Sequence, residues 1–130
     1  MKWSIVAGRP VYLQLIEQLE LAIVVGEYPP GEKIPGVRDL AAQAQVNPNT
    51  MQRALAELER CGLVYSQRTA GRFVTEDHEM IENAKRELAR RHIRTFVAAM
   101  GRLGYREEEI VSLLRRETDK EGAEHVGSGV

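Results

Sequence analysis

The chain has 130 residues, 43% of them hydrophobic and 28% charged, with a formal net charge of -1. A compact domain of this size buries roughly two-thirds of the surface of its unfolded chain, so there is room for one real core but not for two large domains. No window of about 18 apolar residues exists to cross a bilayer, and the opening MKWSIVAGRPVYLQL lacks the pattern of a secretory signal. We therefore expect a cytoplasmic protein with no membrane partner. Cys61 is the only cysteine, which excludes an intrachain disulfide and a thiolate metal site built from one chain.

The first predicted element is a helix after Pro10, in which Tyr12, Leu15, Ile16, Leu19, Ala22 and Ile23 follow the spacing of one helical face. Before it, Trp3 to Val6 reads as a short strand. The helix ends near Gly26, and GEYPPGEKIPG is so rich in Pro and Gly that it must form an ordered loop. A short helix follows from about Val37 to Ala44, with Val37, Leu40 and Ala41 inward and Gly36 at its cap position.

Asn47 is placed to cap a third helix, and Pro48 fits its first position, where a missing N–H costs nothing. Met51, Ala54, Leu55 and Leu58 repeat at the core period, and Gly62 is suited to the left-handed end. Asn49, Thr50, Gln52 and Arg53 are left on the outward side of the first turns. No core needs them, whereas a major groove admits a helix whose N-terminal amides, hydroxyls and guanidinium forks read base edges.

After Gly62, LVYSQ and RFVT read as two strands joined by RTAG, a β-hairpin. Two helices at helix-turn-helix spacing followed by a hairpin describe a winged helix. From Lys33 to Thr75 six basic residues face three acidic ones, a local charge of +3 within a nearly neutral chain. Arg38 near the start of the second helix is a candidate for phosphate or base contact, and Arg68 and Arg72 beside the hairpin tip are candidates for minor-groove or phosphate contact.

Beyond Thr75 the pattern becomes a long helix from about Asp77 to Leu103 and a second from about Arg106 to Glu117. Leu88, Ile93, Phe96, Val97, Met100 and Leu103 on the first, with Ile110, Leu113 and Leu114 on the second, give each helix an apolar stripe. Two such helices have no third element to close a core, which predicts pairing with a second copy of the chain. The predicted organisation is thus a DNA-binding domain over 1–75, a dimerisation segment over 76–118 and a disordered tail over 119–130. The fold class is mainly α with a small β-hairpin wing.

Catalysis has no support in the sequence: there is no Gly-rich phosphate loop and no nucleophile, base and acid set. His78, His92 and His125 are too widely spaced for a metal site, so neither metal nor cofactor is expected. Cys61, next to Gly62, reads as a small half-buried residue. The alternative to DNA binding is a winged helix that contacts a protein partner through the same outward face.

With these residues laid out, the chain resembles bacterial transcription regulators of the GntR family, and specifically their short YtrA-type members. The pieces PVYLQL, GEYPPGEKIP, VRDLA and VNPNTMQRALAELERCGL stand in the family's order and spacing. The compact tail with GRLGYREEEIVSLL is similar to the YtrA-type dimerisation segment. The resemblance implies a homodimeric repressor of an inverted-repeat operator, of the kind that often controls membrane-transporter operons. It places Arg38, Asn49, Thr50, Gln52 and the wing from Thr69 to Gly71 on DNA. Gly36 stands where the family commonly has Ser, Thr69 where the wing usually has Gly, and Arg72 where Thr is usual. The short tail leaves little room for an effector cavity, and no effector is named by the sequence.

Overall fold

The structure, a computed structural model, describes residues 1–127, with side chains described through residue 120. Its elements in chain order are α1 (Val11–Val24), α2 (Val37–Ala44), α3 (Pro48–Arg60), β1 (Val64–Gln67), β2 (Gly71–Val74), α4 (His78–Arg102) and α5 (Glu107–Gly127). The chain divides into two compact units, residues 1–87 and 88–130.

In the first unit the predicted apolar faces meet. Leu15, Leu19 and Ile23 of α1 pack with Leu40 and Ala41 of α2 and with Met51, Ala54, Leu55 and Leu58 of α3. Val64 and Val74, directly opposite each other in the antiparallel hairpin, close the same core. Leu40, Met51, Ala54 and Leu55 are completely buried, so truncating one of the leucines to Ala would cost about 2–5 kcal/mol.

The loop between α1 and α2 is ordered because it is clipped to β2. The amide of Gly31 donates to Val74 O, Val74 N to Glu32 O and Ile34 N to Arg72 O, at 2.9–3.0 Å. This segment behaves as a short third strand, with Lys33 bridged to Phe73.

Three expectations need correction. Trp3 to Val6 is not a strand: its backbone is paired by side chains of α1 instead. Gln14 receives Val6 N and donates to Val6 O, both at 2.8 Å, while Gln18 receives Ser4 N at 3.0 Å and donates to Ser4 O at 2.6 Å. Two glutamines one helical turn apart thus present amides at the two-residue repeat of extended backbone. Gln14 is consequently a buried polar residue, with a further bond to Arg9 O.

The first unit also extends past Thr75 to Glu87, because the opening turns of α4 belong to it. Asp77 caps that helix by accepting from Glu79 N and Met80 N, and Ile81 joins the core with Met80 and Ala84 against it. Finally, the tail expected to be disordered from residue 119 continues as helix to Gly127, since TDKEGAEHV carries a single Gly and otherwise helix-compatible residues. Residues 128–130 of that tail lie outside the described residues.

In the second unit α4 stops where Gly104 adopts φ +96°, and Glu109 caps α5 by accepting from the Arg106 amide at 2.9 Å. Ile110 is buried within its own chain, and Leu88, Met100 and Leu113 are half-buried. Ile93, Phe96, Val97, Leu103 and Leu114 remain exposed, Leu103 at 73%. Among the described residues no helix is long and apolar enough to cross a membrane.

Candidate nucleic-acid interface

The start of α3 is set by its sequence. Asn47 accepts the Asn49 amide at 2.8 Å, and Pro48 occupies the first helical position. The turn before it is tight: Gln45 takes φ +57° at the end of α2, allowing Val46 N to reach Ala41 O at 3.0 Å. Gln45 does there what a glycine usually does.

Because one face of α3 is buried, the other has a fixed direction. Asn49, Gln52 and Arg53 are exposed and Thr50 is half-buried. Asn47 spends its side-chain oxygen on the helix cap and so fixes where the exposed first turns of α3 begin. Arg53 is not extended into solvent, since its guanidinium lies 4.0 Å from the centre of the Tyr12 ring. The helical spacing places Tyr12 only on the core face of α1. Arg38 is exposed near the start of α2 and makes no ion pair among the described residues.

The wing is a four-plus-four hairpin with Arg68, Thr69 and Ala70 in its loop, closed by Ala70 N to Gln67 O at 3.0 Å. Gly71 has φ +107°, a conformation that other residues rarely adopt. On one face Tyr65 and Phe73 stack at 5.7 Å between centroids. On the other, Ser66 and Arg72 sit opposite each other and both donate to Glu59 of α3, at 2.5 and 2.8 Å to the same oxygen. The Ser66 hydroxyl and then the Arg72 guanidinium hold the Glu59 carboxyl below the ordinary glutamate range.

Arg68 and Thr69 are exposed at the wing loop, as the sequence suggested, while Arg72 is turned inward with 19% of its side chain accessible. Lys33, which sequence reasoning passed over, lies beside the wing: a Cβ added at Gly71 would come within 2.8 Å of its Cε. Its placement comes from the bridge to Phe73, a pairing that a loop composed of Pro and Gly does not announce.

Cys61 is exposed rather than half-buried, because it falls just past the end of α3. Even there, loss of some of its hydration, followed by the Glu57 carboxylate, pushes its thiol up, which disfavours the reactive thiolate. Among the described residues no group of His, Cys, Asp and Glu is arranged to hold a metal.

A helix-turn-helix with a hairpin wing, presenting polar side chains from the first turns of its second helix, defines a winged-helix DNA-binding protein. Residues 11–74 match the family described as Bacterial regulatory proteins, gntR family. The chain is 38% identical over 113 residues to the uncharacterized HTH-type transcriptional regulator YhcF of Bacillus subtilis, covering 87% of this chain and 93% of that one. It is 40% identical over 71 residues to the HTH-type transcriptional repressor YtrA of the same organism, over 55% of each chain. Among solved structures, a GntR family transcriptional regulator from Listeria monocytogenes superposes with a TM-score of 0.78 at 35% identity, covering 86% of this chain and 98% of that one. The AraR DNA-binding domain in complex with operator ORE1 superposes with a TM-score of 0.50 at 30% identity, over 58% of this chain and 94% of that one. The chain belongs to the GntR family of transcriptional regulators, with YtrA-type proteins among its relatives.

Proposed function

We propose that the protein is a homodimeric repressor that reads an inverted-repeat operator with one α3 helix per half-site. The observation that carries this reading is the division of α3: one face is wholly buried, and the opposite face of its first turns offers Asn49, Gln52 and Arg53 with no large apolar side chain among them. Short amides and a guanidinium in that position suit base edges, Gln52 to adenine and Arg53 to guanine or phosphate. Thr50 joins them, Asn47 sets the helix start, and Arg38, Arg68 and the tip from Thr69 to Gly71 engage the backbone. The operator-bound AraR domain supports placing this surface on DNA.

Dimerisation through the second unit is supported by its exposed stripe. Ile93, Phe96, Val97, Leu103 and Leu114 are open to solvent on two helices that lack a covering element, an arrangement a second copy relieves. Leu88, Met100 and Leu113, which are half-buried, and Ile110, which is buried within the chain, complete the proposed dimerisation set. The repressor's expected target is an operon for a membrane transporter.

Selection of bound fragments from genomic DNA tests the reading. An inverted repeat with half-sites about 10 base pairs apart, or a multiple of that, is expected. Recovery of fragments with no shared sequence would contradict it.

A further inference from the structure

A cleft of about 270 Å³ lies between the wing and the segment that leads into α2. Lys33, Arg68 and Arg72 are among its lining residues, and no carboxylate is. The three cations are not equivalent. Arg72 is committed to Glu59 through a 2.8 Å bond that also fixes the wing against α3. Lys33 and Arg68 make no ion pair or side-chain hydrogen bond among the described residues, and both are exposed.

Lys33 is nevertheless held in place. Its backbone is bridged to Phe73, with Ile34 N on Arg72 O on one side and Val74 N on Glu32 O on the other. Its stem passes over Gly71 so closely that a side chain there would displace it. A positioned ammonium and a guanidinium face one concavity from two elements, and neither is neutralised.

We propose that this cleft seats one backbone phosphate of duplex DNA, with Lys33 and Arg68 as its charged contacts and Arg72, held by Glu59, as a wall that positions the wing. The inference rests on the DNA-binding reading above, but it assigns the charges differently from the sequence, which offered Arg72 as an anchor and omitted Lys33. A phosphodiester oxygen suits the site because it is anionic and sequence-independent, as are the cleft's demands. Arg72 would have to abandon Glu59 in order to join them.

Salt dependence of binding separates these roles. Each phosphate neutralised contributes about 0.9 to the slope of log K against log salt on duplex DNA. The probe is a mixed-sequence duplex of about 30 base pairs, long enough for three helical turns and independent of any operator. Lys33→Gln, which keeps most of the stem, and Arg68→Ala should each reduce the slope, and the double substitution should reduce it by about 0.9 for each bound protomer, because the two cations share one phosphate. Arg72→Thr should weaken binding and speed hydrogen exchange of the wing amides in the free protein, yet leave the slope as in the wild type; Arg72→Gln repeats the test if that variant unfolds. A slope unchanged by Lys33→Gln or by Arg68→Ala overturns the proposal, as does a slope that falls with Arg72→Thr or absence of binding to the duplex at any salt. Slopes as predicted without any sequence preference would leave the phosphate seat standing and remove the operator reading instead.

Discussion

The Arg53 guanidinium stands over the face of the Tyr12 ring, 4.0 Å from its centre, so α1 orients a cation that, on the proposed reading, α3 offers to DNA. The contact reduces the number of rotamers that Arg53 loses on binding, and an exposed pair of this kind is worth about 0.5–1 kcal/mol. Tyr12→Leu should therefore weaken operator binding roughly two- to fivefold, while Tyr12→Phe, which keeps the ring face, should change it little. Titration of both variants against the selected site checks this.

Gln14 is the polar residue on which the amino-terminal segment depends. Three hydrogen bonds, one from Val6 N and two to the carbonyls of Val6 and Arg9, converge on its buried amide. Gln14→Leu leaves backbone groups unpaired, for which a cost of about 1–3 kcal/mol is expected. Urea unfolding measures it, and faster hydrogen exchange at Val6 should accompany the loss.

The turn between α2 and α3 holds a residue that pays a conformational cost. Gln45 has φ +57°, the left-handed region that glycine enters freely. Gln45→Gly should stabilise the protein by about 0.5–1 kcal/mol in the same unfolding assay without altering DNA binding. Asn47→Ala should do the opposite, losing about 1 kcal/mol with its cap on the Asn49 amide.

Acid should loosen the wing through Glu59. Its carboxyl is held below the usual 4.5 by Ser66 and Arg72, so the ionised form is favoured by folding. The resulting stability is fully present above pH 4.5 and is lost as the pH falls through the lower folded value. The side chain is 34% exposed, which keeps the contribution within about 1 kcal/mol. Glu59→Gln should therefore unfold more easily than the wild type at neutral pH, with the difference shrinking in acid.

The helices of the first unit were legible because each couples an apolar period to a recognisable end: Pro48 after Asn47 and Gly62 after Leu58 bracket α3, and the core residues between them fell where their spacing put them. Contacts made by polar side chains across the fold were not legible. Nothing in the sequence shows that Gln14 and Gln18 replace a β-strand, or that Glu59 draws Arg72 inward, because a glutamine or an arginine on a helix or strand reads first as solvated. Lys33 was hidden for a related reason, since loop composition predicts a turn but not which strand the loop joins. The boundary at Glu87 depended on α4 being shared between packing on the first unit and continuing into the second.

The most direct measurement is titration of the selected site by wild type and by Gln52→Ala, at two salt concentrations and with each half-site position varied in turn. If α3 reads bases, the substitution costs about 1–3 kcal/mol, mainly by relaxing preference at one position per half-site, while the salt slope stays as it was. If Gln52→Ala binds every sequence as the wild type does, the outward face of α3 is not a reader of bases, and the central claim fails.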